Sequence, residues 1–315
     1  MIPETTTVLF IGGVGRSGST LLDRMLGQLP EFCSVGETVH LWSRLIDDDL
    51  CGCGASLRDC SFWREVSRHA FGGWDAVDLK AMLALQNAVD RNRFIPLMLA
   101  PTLAPRHRRD LGLYTAYLSR LYEAIRVVSG AHVVVDSAKH ASYAFLLRRV
   151  PGIDLRLVHL VRDSRGVAYS WMKRVKKSHQ PGVGEMAQLH PARSSLRWVA
   201  YNLLFDLLKT LNVPSLFLTY EALIERPQAE LRRVLELLGE PSDADALSFV
   251  GSHHVELGAT HTASGNPMRF DQGRVVLRAD DEWRRRLSPR NRWLVNSLTW
   301  PAMVRYGYFG PKRRA

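Results

Sequence analysis

Three observations predict an α/β protein: a P-loop-like parallel sheet flanked by helices, with a helical insertion. A short β-prone run, Val8–Ile11, runs into the glycine-rich stretch Gly12–Gly18 and then into leucines at helical spacing. A second apolar run, Leu155–Val161, lacks polar alternation, as a parallel strand covered on both faces should. Further short apolar runs alternate with helical patterns, the rhythm of a parallel sheet with helices on both faces. The chain is read as one domain, 1–315, with 41–131 the mostly helical insertion.

The elements follow in order. Leu21, Leu22, Met25, Leu26 and Leu29 mark the first helix, and Pro30 closes it. Phe32–Val35 is a second strand, leading to Gly36 and Glu37. A cysteine-bearing loop follows, then helical patterns over 78–99 and 110–129, with Gly130 in the position after a helix end. Val133–Val135 resumes the strands, and a helix over Ser142–Val150 stops at Pro151-Gly152. After Leu155–Val161 come a helix from about Gly166 to Val175, a basic loop Lys173–His179 and a helix near 193–211. Leu216–Thr219 is another strand. Pro227 opens a helix that runs to Leu238, with Gly239 beyond it.

Composition narrows the function. Hydrophobic residues at 46% and charged residues at 23% exclude disordered, collagen-like and disulfide-scaffold chains. No run of ~18 apolar residues occurs, so no stable membrane insertion is expected. The start, MIPETTTVLFIGGV, lacks the basic region of a signal peptide, and only four Cys occur. The expected location is therefore cytoplasmic. A net charge of +11 favours anionic partners: nucleic acid, anionic lipid or a multiply phosphorylated small molecule.

Placement of the cations separates these. Gly13-Val-Gly-Arg-Ser-Gly18-Ser-Thr20 lies between a strand and a helix, where backbone N–H groups and the helix start form an anion cradle. A kinase-type Walker loop has the spacing of Gly13 and Gly18, but Ser19 stands where its lysine belongs and Arg16 supplies the cation. A dinucleotide turn also fits the glycine spacing, and Glu37 is near the distance of its ribose-binding acid. Arg16-Ser17 inside the turn is atypical of that class.

The stretch Ile11–Leu22 resembles the 5′-phosphosulfate loop of PAPS-dependent sulfotransferases, and is more similar to the Arg-bearing branch of tyrosylprotein and carbohydrate sulfotransferases. The resemblance implies a sulfotransferase that moves the sulfuryl group of PAPS to a hydroxyl of a small-molecule, glycan or lipid acceptor, leaving PAP. It implies that Arg16, Ser17, Gly18, Ser19 and Thr20 hold the 5′-phosphosulfate. A second motif, Leu157–Arg174, places Arg162 at a strand's carboxyl end and Ser170 about two helical turns on. It resembles the family's 3′-phosphate motif, with Arg162 and Ser170 as the grip and Arg174 as a further nucleotide contact; Arg165 is read as nucleotide-binding or structural.

Leu218–Pro227 resembles a late strand-and-turn segment of the family and makes Tyr220 a nucleotide contact. The loop Ser264–Arg274 is glycine-rich, basic and too polar for core. It resembles a cofactor-covering loop, with Ser264 and Arg269 as contacts. Glu37 matches the catalytic base of the tyrosylprotein enzymes, with His40 as the fallback. Lys139 matches a lysine over the transferring group; together with Arg16 it would stabilise charge there without a metal. The resemblance covers about 1–40 and 132–280.

Two other function classes remain as rivals. A P-loop-like nucleotide or small-molecule kinase is disfavoured by the missing lysine. A basic nucleic-acid-binding protein is disfavoured because the informative arginines stand at strand ends, as small-anion sites require. Cys51-Gly-Cys53 and Cys60 offer three thiols where a structural zinc site needs four ligands, and Cys33 or His40 are the candidates for the fourth. Metal, disulfide and free thiols all stay open, and no metal is assigned. His253, His254 and His261 form no standard ligand spacing. Trp283 and Trp293 are expected to pack, and 312–314 to be a solvated end. The oligomeric state is left open.

Overall fold

β1, Thr6–Gly12, is the central strand of a parallel sheet because nearly everything in it is apolar and covered on both faces. The computed structural model describes residues 5–174, 187–241 and 245–309. The strands β2 (Phe32–Gly36), β3 (Val133–Lys139), β4 (Ile153–Val161) and β5 (Ser215–Thr219) complete the sheet in the order β2-β3-β1-β4-β5. β1 pairs in parallel with β3 on one side and β4 on the other. The chain therefore crosses over β1 between β3 and β4. That reversal opens a crevice at the strands' carboxyl ends, where open α/β sheets bind ligands.

Helix α1 (Ser19–Leu26) follows β1. Between β2 and β3 lie α2 (Leu41–Ile46), α3 (Ser61–Phe71), α4 (Leu79–Val89), α5 (Ile95–Leu99) and α6 (Pro105–Ser129). After β3 comes α7 (Ala141–Leu147), and after β4 come α8 (Ser164–Met172) and α9 (Pro191–Lys209). After β5 come α10 (Tyr220–Glu225) and α11 (Pro227–Leu238), an antiparallel hairpin of β6 (His254–Leu257) and β7 (Gly273–Val276), then α12 (Trp283–Arg286) and α13 (Pro289–Arg305).

The period-2 alternation of β1 sorts the core into two layers. Val8 and Phe10 face the insertion, packing with Trp42, Trp63, Leu118, Phe145 and Phe205. Leu9 and Ile11 face the other way, onto Leu22, Met25, Leu231, Val234 and the β6–β7 hairpin. The 41–131 insertion thus shares a core with one face of the sheet. On the opposite face, the buried Arg24 guanidinium donates to the carbonyls of Gly258, Met268 and Asp271, tying α1 to the late loop.

Several boundaries differ from the expected ones. α1 ends at Leu26 with Gly27 as its cap, so Pro30 falls in the turn beyond it. The pattern over 78–99 divides into α4 and α5 at Asp90, with Pro96 in the first turn of α5. α6 starts five residues before 110, at Pro105, and α3 was not anticipated. Trp283 packs, but Trp293 is 70% exposed on α13, against expectation. Of the basic loop expected at 173–179, only Lys173 and Arg174 are described; 175–179 and the tail at 312–314 lie outside the described residues.

Candidate active site

The five strand ends converge on one cleft of about 510 Å³. The turn after β1 supplies its floor. Gly13 has φ +146°, and a Cβ there would stand 2.3 Å from the carbonyl oxygen of Leu160 on β4. Gly18, at φ +88°, would drive a Cβ into the Tyr220 ring at 2.5 Å. These two glycines let the turn lie against β4 and Tyr220 and aim the first amides of α1 into the cleft. Arg16 adopts a left-handed φ of 77°, rare for a residue with a side chain, and its guanidinium stacks on Trp171 at 5.1 Å. Such a departure at a binding turn is the kind that surrounding structure must enforce. Burial lowers the Arg16 pKa and Glu37 pulls it up, yet an arginine so placed stays charged.

Gly18, Ser19 and Thr20 line the cleft with Arg16. Ser17 is buried behind them, and its hydroxyl has no hydrogen-bond partner among the described residues. A buried hydroxyl without a partner inside an anion turn is what a bound oxyanion would satisfy.

The second arm comes from β4 and α8. Arg162 stands at the end of β4 and donates from Nη1 to Arg16 O at 3.0 Å and from Nη2 to Asp280 O at 2.9 Å. Its guanidinium also pairs with the Asp280 carboxylate at 3.1 Å and stacks on Tyr220 at 4.5 Å. It thereby joins the β1 turn to the segment after β7. Ser170 and Trp171 line the same wall, and the Trp171 indole N–H donates to Gly15 O at 3.2 Å. Arg165 turns away: it clamps Asp163 with two hydrogen bonds and stacks on Trp283, so its role is structural.

The third arm is a buried ion pair. Glu37 follows β2 and Lys139 ends β3, and the Lys139 ammonium donates to Glu37 Oε1. His40 Nε2 lies 3.5 Å from Glu37 Oε2. Burial works to raise the Glu37 pKa, but Lys139, His40 and His140 outweigh it and hold the carboxyl below its ordinary value. Burial likewise pushes His40 down, and pushes His140 down to about 3. Lys139 also adopts a left-handed φ, 63°. Beneath it Asp136 accepts from the Ala138 amide and from the hydroxyls of Thr38 and Tyr122, fixing the strand end that carries the lysine.

Residues that sequence reasoning did not single out complete the walls. Arg44, His140, Arg197 and Tyr201 join His40 around the open side next to Glu37, and Arg278 and Asp280 line the Arg162 side. Arg197 stacks on Tyr201 at 4.9 Å, and His140 meets His40 edge to face at 5.4 Å. The lining holds six Lys or Arg side chains (Arg16, Arg44, Lys139, Arg162, Arg197, Arg278) against two carboxylates, Glu37 and Asp280. Its field therefore favours an anion.

Two proposed contacts fall outside the cleft. Arg269 is buried, and its guanidinium donates to Thr262 O at 3.0 Å and Leu50 O at 2.8 Å. It braces the late loop from behind; the loop is polar yet part of it is core, which corrects the expectation. Ser264 and Gly265 of that loop do line the cleft, and Ser264 O accepts from the Glu37 amide at 3.1 Å. Arg174 is exposed and off the lining. α8 ends at Met172 and Lys173 is extended, so the chain leaves the helix face that carries Ser170 before Arg174 is reached.

The fold and this cleft define a P-loop-type α/β protein with an anion site at the carboxyl edge of its sheet. The sequence profile of the Sulfotransferase family matches residues 9–245, and the chain belongs to that family, which makes it a transferase. It is 26% identical to carbohydrate sulfotransferase 7 of Mus musculus, over 95% of this chain and 74% of that protein. It is 24% identical to carbohydrate sulfotransferase 2 of Homo sapiens, over 98% of this chain and 66% of that protein. Among solved structures it is similar to the sulfotransferase domain from the curacin biosynthetic pathway, at 17% identity and a TM-score of 0.48, covering 94% of this chain and 98% of that one.

Proposed function

We propose that this chain transfers a sulfuryl group from PAPS to a hydroxyl of a carbohydrate acceptor. The observation that carries the reading is one cleft in which Arg16 and Arg162, at adjacent strand ends, sit beside the buried Glu37–Lys139 pair. Two separated cationic sites suit a nucleotide with phosphates at both 5′ and 3′ positions. The turn amides, Arg16, Ser17, Ser19 and Thr20 would hold the 5′ end, and Arg162 with Ser170 the 3′-phosphate. There the phosphate would contend with the Asp280 carboxylate for Arg162. Carbohydrate acceptors are named for the two relatives above. The donor-rich wall of His40, Arg44, His140, Arg197 and Tyr201 suits a ligand with many hydroxyl oxygens.

PAPS supplies the sulfuryl group. The Glu37 carboxylate takes the acceptor hydroxyl's proton as that oxygen bonds to sulfur and the bond from sulfur to the bridging phosphate oxygen breaks. Lys139 and Arg16 stabilise the negative charge that grows on the departing side, as fixed cations in a buried site can. Lys139 also orients Glu37 beforehand.

A transfer assay tests this: labelled PAPS, a panel of oligosaccharides and glycolipids, and mass detection of one added sulfo group. Thermal-shift titration with PAP against ATP and Mg²⁺ runs beside it. Sulfated sugar and selective stabilisation by PAP support the reading. Equal stabilisation by ATP and Mg²⁺, with phosphorylated product, would replace it with the kinase.

A further inference from the structure

We propose that Cys51, Cys53, Cys60 and His261 form a structural zinc site that pins the loop carrying Ser264 to the start of the helical insertion. The four donor atoms all lie within 4.8 Å of one another. Cys53 Sγ and Cys60 Sγ are 3.7 Å apart, His261 Nδ1 is 3.3 Å from Cys60 Sγ, and it is 3.9 Å from Cys51 Sγ. A tetrahedron with Zn–S bonds of ~2.3 Å and Zn–N bonds of ~2.0–2.1 Å has S–S edges of about 3.8 Å and S–N edges of about 3.5 Å. The Cys53–Cys60 separation is close to the S–S edge, and the two His261 separations fall either side of the S–N edge. A disulfide needs its sulfurs at ~2.05 Å, and all four cysteines of the chain are free.

The fourth ligand is neither Cys33 nor His40, the two candidates the sequence offered. It is His261, 201 residues beyond Cys60. Its ring is fixed by stacking on Phe62 at 4.9 Å, and its carbonyl accepts from the Trp63 indole at 2.8 Å. Nδ1 thereby faces the three sulfurs. Cys51 and Cys60 are buried, and four protein donors leave no open position. The site is therefore structural, not catalytic.

Its placement gives it a task. Gly52 N donates to Thr262 O, Arg269 bridges Thr262 O and Leu50 O, and Ala263 N donates to Val35 O. These contacts run from His261 to Ser264, whose carbonyl holds the Glu37 amide. A metal at the four ligands would lock the late loop against β2 and the insertion, and so set the wall beside Glu37. This holds whatever group the cleft transfers.

The test uses the full chain, purified under reducing conditions and dialysed against metal-free buffer. Elemental analysis should give one zinc per chain. Titrating the thiols with an organomercurial, with a chromogenic chelator present, should release that zinc in step with modification. Exchange with Co²⁺ should give the strong visible bands of a tetrahedral thiolate site, on the unmodified chain. Cys53→Ser and His261→Ala should lose the metal, and Cys33→Ser should keep it. A folded wild-type chain without metal, or with a Cys53–Cys60 disulfide by mass mapping, overturns the proposal. So does zinc that survives in both ligand variants, or a cobalt spectrum without tetrahedral thiolate bands.

Discussion

On the side of the cleft proposed to bind the nucleotide, the shape is set by backbone. Gly13 and Gly18 let the β1 turn touch β4 and Tyr220, the first amides of α1 point inward, and Arg162 holds Arg16 O. On the proposed acceptor side the shape is set by side chains from distant elements: His40 and Arg44 near α2, His140 before α7, Arg197 and Tyr201 on α9. A backbone-built wall leaves a local sequence trace, because only glycine tolerates those angles and approaches. A wall built from side chains on packed helices leaves none. Glu37 and Lys139 lie on the seam between the two.

The seam gives the largest expected effect. Glu37→Gln keeps volume and a carbonyl but loses the proton acceptor. It should lower kcat by ~10²–10⁴-fold and leave PAP affinity nearly unchanged. Single-turnover kinetics with PAPS, beside calorimetry with PAP, separate the two quantities. Near-normal turnover would move the base to His40. Joint loss of rate and affinity would place Glu37 with the nucleotide side.

Next in size is the nucleotide wall. Arg162→Ala and Ser170→Ala should each weaken PAP by ~1.5–3 kcal/mol, the range for hydrogen bonds to charged groups. The two should differ toward 5′-AMP. Arg162 also holds Arg16 O, so its loss should loosen the 5′ site and cost some 5′-AMP affinity. Ser170 makes no hydrogen bond to the turn among the described residues, and Ser170→Ala should spare 5′-AMP. Equal losses for both ligands in Ser170→Ala would break the assignment of Ser170 to the 3′-phosphate.

Smaller again is the acceptor wall. Arg44→Gln should raise the acceptor KM by about fivefold at most, within the ~1 kcal/mol typical of a half-exposed charged contact, with PAPS KM unchanged. Arg44 is partly exposed and already pairs with Asp49 at 2.6 Å, which limits the effect. A change in PAPS KM instead would extend the nucleotide site across the seam.

How much of this was legible follows from the same division. The sheet, the Gly13–Thr20 turn, Arg162 after an unbroken apolar run, and Glu37 after Gly36 could be read because each is carried by neighbours in sequence. The outcomes at Arg269 and Arg174 could not. A guanidinium in a polar loop reads as a ligand contact until the packing shows it bound to the carbonyls of Thr262 and Leu50. Arg174 would share a face with Ser170 only if α8 continued, and α8 stops at Met172. His261 joined the cysteines only through the fold, since nothing near it in sequence marks a ligand. Arg278, Arg197 and Tyr201 reach the cleft by tertiary placement alone.

The smallest expected effect is a flat pH profile, and it discriminates between the two candidate bases. Lys139, His40 and His140 hold Glu37 below its ordinary pKa against the opposing pull of burial. The carboxylate is then ionised throughout the range above ~4.3, so kcat/KM should show no acid limb between about pH 5 and 7. A His40 base would behave otherwise: burial lowers its pKa from the usual ~6.5, so its acid limb would lie below that value, where Glu37 predicts none down to the ordinary carboxylate range. Acid unfolding is the confounder, and its sign can be worked out. Burial raises Asp23 to about 7 and Asp136 to about 6, so the folded state binds more protons than the unfolded one between the ordinary carboxylate range and those values. Stability from these two groups therefore rises as pH falls through that window. The groups held low, Glu37, Asp206 and Asp280, lose their contribution only below the ordinary carboxylate range. Neither of these sets predicts loss of fold between pH 7 and 5. Burial, however, pushes His140 down to about 3 and His159 to about 4. These neutral histidines cost stability as pH falls below ~6.5, so the fold must be followed at each pH. The measurement is kcat/KM at saturating PAPS across that range, with far-ultraviolet circular dichroism at each point. A flat profile with an intact fold keeps the base on Glu37. An acid limb within that range that disappears in His40→Gln transfers it to the histidine.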